Sequence, residues 1–276
     1  MSSISRRSAL ALAGGAILGA AGLSGTASAA DGWKRLVVVT ANIGRKNLGQ
    51  RERAIRDVRN AVTIDGRLTK PLVGWQEIRG GDPDNKELTW IDKHFGTRYR
   101  NIYMRADSPA RQVPMSIPKS YDILERRTTF CHGGKAKVSP SRYITQVLLA
   151  RVDDPRLRFV FANTHYVSGA WNGKEDPHEA WRDEMWRTHF RKHRDNVLGY
   201  WRGRGFPVIW TGDVNRNPMP LLLPNYEKRA FARGIDQIGW VPGDNGTQIR
   251  LNRTKTVPMY VDGHDARVAI MQVRRV

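Results

Sequence analysis

The chain has 276 residues, with 46 Lys and Arg against 26 Asp and Glu, a formal net charge of +20 and a single cysteine. One cysteine excludes an internal disulfide framework, so stability must come from a packed core, which this length allows, and Cys131 is predicted to be a lone buried thiol. The positive charge points to polyanions, either nucleic acid or anionic lipid headgroups, or else serves solubility alone.

The first 29 residues stand apart from the fold. Arg6 and Arg7 precede an apolar, Gly/Ala-rich run over residues 9–23, and Ala27-Ser28-Ala29 is a small-x-small cleavage signal. This is the pattern of a twin-arginine export peptide, which predicts a secreted protein. The run is shorter than the ~20 apolar residues of a spanning helix, and no later stretch could form a transmembrane segment. Removal of residues 1–29 takes away two basic and no acidic side chains, leaving a net charge of +18. Residues 30–276 show no internal repeat or low-complexity linker and fit one large domain.

Residues 35–42 form a β-branched run that ends at Asn42, the signature of a buried strand with a polar tip. Open α/β sheets place their sites at such tips. Residues 50–62 have helical spacing, with Ala54, Val58 and Val62 on one stripe. A second strand over residues 71–77 ends in Glu77, an acid that must be paired, protonated or metal-bound if buried. A loop follows over residues 80–83, then a short helix over residues 86–95. Between residues 98 and 140 only short strands are predicted, at 101–104 and 121–124, because Pro109, Pro114 and Pro118 interrupt anything longer.

Residues 143–152 and 158–165 read as a hairpin across an Asp153-Asp154-Pro155 turn, with His165 at its end. The longest helix is predicted over residues 177–200, with Trp181, Met185, Trp186, Phe190, Val197 and Trp201 on its apolar side. His189 and His193 on it have metal-ligand spacing but lack a third ligand or an intervening glutamate, and are read as flanking the apolar stripe. Arg187, Arg191, Lys192, Arg194, Arg202 and Arg204 make this region strongly basic, which is either an ordinary solvated face or part of an anion surface.

The run Val208-Ile209-Trp210-Thr211-Gly212-Asp213-Val214-Asn215 then delivers a carboxylate and a carboxamide two residues apart, which share a face on an extended segment. A carboxylate can position or deprotonate a water while the amide donates to a phosphoryl oxygen, although Gly-Asp-x-Asn is also an ordinary Asx turn. A further strand over 234–241 carries Asp236 near its start. A last strand pair, 254–261 and 268–273, flanks Asp262-Gly263-His264-Asp265, where acids can hold an imidazole in one tautomer.

In chain order, Thr40-Ala41-Asn42, Gly74-Trp75-Gln76-Glu77, Thr164-His165-Tyr166-Val167-Ser168, Thr211-Gly212-Asp213-Val214-Asn215 and Gly263-His264-Asp265 resemble the motifs of the endonuclease/exonuclease/phosphatase superfamily, the DNase I-like group. The resemblance implies a four-layer α-β-β-α sandwich, an α/β (α+β) fold with two mixed sheets face to face and helices outside. It implies Glu77 as ligand to a divalent metal, with Asn42 close to metal and phosphate. It also implies His165 and Asn215 on the phosphoryl oxygens, Asp213 positioning water, and Asp236 with His264 as orienting acid and imidazole. Mg²⁺, or Mn²⁺ or Ca²⁺, suits such oxygen ligands.

Two positions depart from the family pattern. The family usually has aspartate directly before the last histidine, where this chain has Gly263; either Asp262 reaches the metal through a bulged loop or one acid is missing. Gln237 stands where tyrosine is common. The expected protein is an exported, monomeric, metal-dependent phosphodiesterase acting on nucleic acid. The alternatives are a sphingomyelinase-like or small-phosphoester phosphatase activity, and a catalytically weak polyanion-binding homologue.

Overall fold

The computed structural model describes residues 32–44, 48–60, 63–64, 67–78, 86–105, 108, 110–170, 180–261 and 263–276. The predicted export segment, the 80–83 loop and Asp262 lie outside the described residues. In chain order the elements are β1 (Lys34–Asn42), α1 (Arg51–Asn60), β2 (Thr63–Ile64), β3 (Arg67–Leu68), β4 (Leu72–Gln76), α2 (Lys86–Phe95), β5 (Tyr99–Ile102), β6 (Met115–Pro118), β7 (Tyr121–His132), β8 (Arg142–Arg151) and β9 (Asp154–His165). There follow α3 (Ala180–Lys192), a π-helical stretch (His193–Gly199), α4 (Tyr200–Gly203), β10 (Val208–Asp213), β11 (Lys228–Arg229), β12 (Asp236–Val241), β13 (Thr247–Val261) and β14 (His264–Arg275).

Two six-stranded sheets form, with orders β13-β14-β1-β4-β6-β5 and β11-β12-β10-β9-β8-β7. Each is mixed in the same way, with one parallel pair among antiparallel neighbours: β1 with β4 in the first, β9 with β10 in the second. Parallel strands require a crossover, and α1 and α3 lie in those connections.

Side-chain alternation along the strands divides the core into three apolar clusters. From β1, Leu36 and Val38 join Phe159, Phe161, Ile209 and Ile238 between the sheets, while Val37, Val39 and Ala41 face α1 and α2 with Ile55, Val58 and Ile91. From β10, Val208 and Trp210 pack instead under Trp186, Val197 and Trp201 of the α3–α4 layer. The layers are therefore α-β-β-α. Each fully buried aliphatic or aromatic side chain contributes about 1.5–3 kcal/mol relative to exposure.

Toward one end the inter-sheet layer turns polar. Gln76 Nε2 donates to Asn163 Oδ1 at 2.6 Å, Thr211 Oγ1 donates to the same oxygen at 3.0 Å, and Thr40 Oγ1 donates to Gln76 Oε1 at 3.1 Å. Asn163 Nδ2 donates to the Trp75 carbonyl at 2.9 Å. Four central strands are thus tied across the two sheets by satisfied buried hydrogen bonds. Gly74 makes room for this, since a Cβ there would lie 2.1 Å from Thr211 Oγ1 and 2.4 Å from Asn163 Oδ1.

Several predicted boundaries change. The short strand expected at 121–124 is twelve residues long, the pair strand expected at 254–261 is fifteen, and β6 is an addition to the expected strands. Both long strands are sheet edges, where charged outward-facing residues dilute the apolar signal and Pro258 is tolerated. The long helix is split by its π-helical stretch, which resets the face it buries. Its buried residues are Trp186, His189, His193, Val197, Leu198 and Trp201, while Met185 and Phe190 are half-buried. His189 and His193 therefore lie inside the stripe, not beside it. His189 stacks on Tyr166 with ring centroids 3.8 Å apart and pairs with Thr164 Oγ1 at 2.7 Å, and His193 pairs with the Tyr166 hydroxyl at 3.0 Å. Burial pushes the His193 pKa down to about 3 and His189 well below its ordinary value.

Candidate active site

The two parallel pairs explain why polar residues far apart in sequence converge. In β1 and β4 Asn42 lies opposite Gln76, one residue before Glu77, and in β9 and β10 Asp213 lies opposite His165. The antiparallel neighbours β12 and β14 begin where β10 and β1 end, with Asp236 opposite Asp213 and His264 opening β14. Strand direction alone brings these tips to one end of the molecule.

Asp213 is the centre of this cluster. Its Oδ2 accepts from Asn42 Nδ2 at 2.9 Å and lies 3.4 Å from His165 Nε2 and 4.0 Å from His264 Nε2. Its Oδ1 accepts the Asn215 N–H at 2.9 Å, the Asx turn anticipated from Gly-Asp-x-Asn. Burial alone would raise its pKa, but the contact with His165, the charge of His264 and the Asn215 N–H outweigh burial and hold it below the ordinary value. Asn215 has φ 48°, a left-handed conformation that asparagine adopts readily, and its Nδ2 donates to the Tyr166 carbonyl at 3.2 Å.

Glu77 falls just past β4 with φ 61°, an unusual conformation for glutamate, which turns its carboxylate toward the cluster. Its Oε1 is 3.5 Å from Asn42 Nδ2 and 3.9 Å from His165 Nε2. Asn42 is held by its own oxygen, which accepts the Gly44 N–H at 2.9 Å, so its nitrogen faces the acids and bridges Glu77 and Asp213. Arg51 donates to the Gly44 carbonyl at 2.8 Å and forms a buried ion pair with Glu87 of α2, fixing the turn that holds Asn42.

The two imidazoles have opposite surroundings. Arg142 Nη1 lies 3.0 Å from His165 Nδ1. A guanidinium can only donate, so Nδ1 accepts and the His165 proton sits on Nε2, toward Asp213 and Glu77. Burial first and the Arg142 charge second lower the His165 pKa, so it is a neutral N–H donor. His264 Nδ1 instead pairs with Asp236 Oδ2 at 3.0 Å. Burial works against its charged form, but the hydrogen bond to Asp236 and the charges of Asp236, Asp213 and Glu77 prevail and raise it to about 9. Burial raises Asp236 to about 6, with the His264 hydrogen bond opposing and the Asp213 charge reinforcing the rise. Near neutral pH the pair is carboxylate and imidazolium.

Carboxylate and imidazole atoms of Glu77, His165 and Asp213, and those of Asp213, Asp236 and His264, lie within 4.8 Å of one another. With its proton on Nε2, His165 cannot ligate a metal through the nitrogen that faces the group. The donors that remain are the oxygens of Glu77 and Asp213, together with Asp236 Oδ1, which is buried without a hydrogen-bond partner. An oxygen set of this kind fits a hard divalent cation such as Mg²⁺. Asp262, the other expected ligand, lies outside the described residues. Gly263, with φ 80° and nothing within 4 Å of where a Cβ would stand, opens onto a cleft of about 330 Å³ lined by Asp236, Thr256, His264, Asp265 and Arg267.

All the predicted residues within the described chain, namely Asn42, Glu77, His165, Asp213, Asn215, Asp236 and His264, meet at this end. Sequence reasoning missed Arg142, which opens β8 and whose only signal is that it begins a strand paired to the one ending in His165. It also missed the Arg51–Glu87 pair.

No protein-family model matches the sequence, and no curated protein does. Solved structures with the same architecture include an endonuclease/exonuclease/phosphatase from Bacteroides vulgatus, at 15% identity over 88% of this chain and 100% of that one, with a TM-score of 0.61. A mannosyl-6-phosphatase from Bacteroides thetaiotaomicron is similar at 12% identity, over 86% and 99% of the two chains and a TM-score of 0.59. Sphingomyelinase C from Streptomyces griseocarneus aligns at 14% identity, over 86% and 99%, with a TM-score of 0.56. With two mixed six-stranded sheets face to face and their polar strand tips gathered at one end, the chain has the fold of the endonuclease/exonuclease/phosphatase, DNase I-like, structures.

Proposed function

We propose that the protein is an exported, divalent-metal-dependent phosphodiesterase that hydrolyses nucleic acid. The observation that carries this reading is the convergence of a neutral N–H donor, His165, and an imidazolium, His264, on one oxygen of the buried Asp213 carboxylate. A phosphoryl group seated among them meets donors aimed where charge develops, and a carboxylate able to orient or deprotonate a water. His165 Nε2 and the Asn215 amide donate to phosphoryl oxygens, and His264, held by Asp236, moves a proton at Nε2. Glu77 and Asp213 would hold the cation, which when bound supplies Lewis-acid stabilisation of the phosphoryl oxygens.

The net charge of the chain supports a nucleic-acid substrate, and the twin-arginine pattern ahead of the fold supports export. The test is hydrolysis of plasmid DNA, RNA, sphingomyelin and a p-nitrophenyl phosphodiester side by side, each with Mg²⁺ and with EDTA. The expected result is cleavage of nucleic acid that EDTA abolishes and rising salt weakens. Sphingomyelin turnover far above that of nucleic acid would replace the substrate, and turnover that EDTA leaves intact would remove the metal.

A further inference from the structure

Beside the site lies a second cleft of about 330 Å³, lined by Trp186, Arg187, Phe190 and Arg191 of α3 together with Arg216 and Pro220. Arg216 directly follows Asn215, and Trp186 Nε1 donates to the Val214 carbonyl at 2.8 Å, so the cleft is built onto the same loop that carries the site. Its floor is apolar, with Trp186 buried and stacked on Phe190 at 5.4 Å between ring centroids. The rim is cationic. The Arg216 guanidinium sits 4.8 Å above the Trp186 ring, and Arg187 and Arg191 stand exposed one helical turn apart. Arg187 is paired with Asp183 at 2.6 Å and Arg191 feels the charge of Asp195, so two acids stand near three guanidinium groups.

We infer that this cleft is a substrate subsite that binds the nucleotide next to the scissile phosphate of a single nucleic-acid strand, its phosphate on Arg187, Arg191 and Arg216 and its base and sugar against the half-buried Phe190. The inference rests on the proposed phosphodiesterase reading. Burial and then the charge of Arg187 hold the Arg216 pKa below its ordinary value, and an anion between the two guanidinium groups relieves that crowding. Guanidinium groups over an aromatic surface are how proteins bind a strand without reading its sequence, by charge along the backbone and stacking of bases. A lipid surface would need a broad exposed apolar face, whereas this site is concave and rimmed with charge.

The test measures binding of a fluorescein-labelled single-stranded oligodeoxynucleotide by anisotropy, on a Glu77→Gln background with Mg²⁺ so that the strand stays intact. Arg187→Ala with Arg191→Ala removes two exposed guanidinium groups from the rim. Arg250→Ala with Arg274→Ala, at the opposite end of the sheets, removes the same charge as a control. The cleft pair should weaken binding about tenfold or more and lower the log–log salt slope by ~0.7 for each phosphate no longer neutralised, well beyond the control. An abasic nucleotide in the strand should weaken binding to the parent, since stacking is worth roughly 1–3 kcal/mol per base, and should change little in Phe190→Ala. If the unmutated enzyme leaves DNA and RNA intact while hydrolysing another ester, the function and the subsite both fall. If it cleaves nucleic acid but the cleft and control pairs bind alike, the subsite alone falls.

Discussion

His165 and His264 both face Oδ2 of Asp213 and are driven to different charge states, one neutral and one cationic. His165 ends a central strand, is buried and accepts a hydrogen bond from Arg142 at Nδ1; His264 opens a strand, keeps an opening to the cleft beside Gly263 and donates from Nδ1 to Asp236. One fold thus holds a neutral donor and a cationic one around a single carboxylate. The lesson is that the partner on the far nitrogen, not the histidine itself, sets each role.

The carboxylates that would hold the cation should matter most. Glu77→Gln is expected to keep the fold and lose ~10²–10³ in turnover, since it replaces the carboxylate that would hold the cation by a neutral amide; steady-state rates across Mg²⁺ concentrations, with circular dichroism for folding, measure this. Near-normal turnover at saturating Mg²⁺ would remove Glu77 from the metal. Glutamine at each histidine separates the two roles. His264→Gln should be as poor as His264→Ala, both losing ~10²–10⁴ in kcat, because charge and proton transfer are gone. His165→Gln, which keeps a neutral N–H donor, should retain about tenfold more activity than His165→Ala. Equal losses for the two glutamine variants would break the distinction.

A smaller effect is expected at Arg142. Arg142→Met removes the donor to Nδ1 and a lowering charge, so the His165 pKa should rise and kcat should fall about tenfold, with a pH profile displaced from that of the parent; a uniform drop with an unchanged profile would mean simple misfolding. The smallest effect is on stability. The folded His264 pKa of about 9 lies above its ordinary 6.5, so its contribution is full below pH 6.5 and lost as pH rises through 9. Urea unfolding in EDTA should show stability falling by on the order of 1–3 kcal/mol between pH 6.5 and 9.5, and His264→Gln should flatten that change. An unchanged slope in the variant would contradict the assignment.

The sheets and the site were legible in the sequence to the extent that buried strands announce themselves. Residues 35–42, 71–77, 158–165 and 208–213 are apolar runs that stop at a polar residue, and the parallel pairing places their ends together without further information. Edge strands are different. The exposed residues of β7 include Asp122, Arg126 and Thr128, so its length shows only in the pairing with β8. Arg142 was invisible because one arginine among many carries no signal until register places it behind His165. His189 and His193 were misplaced because neutral imidazoles paired at one nitrogen with Thr164 and Tyr166 pack as core, and polarity on a helix face usually means solvent.

The two histidines differ in charge near neutral pH, and that difference can be observed directly. Imidazole resonances of the metal-free protein, assigned with His165→Gln and His264→Gln, should be followed by NMR from pH 5 to 10. At pH 7 His264 should be protonated, titrating near 9, while His165 should be neutral with its proton on Nε2 and its titration displaced below 6.5. Both groups titrating together near 6.5, or His165 carrying the charge at pH 7, would contradict the account.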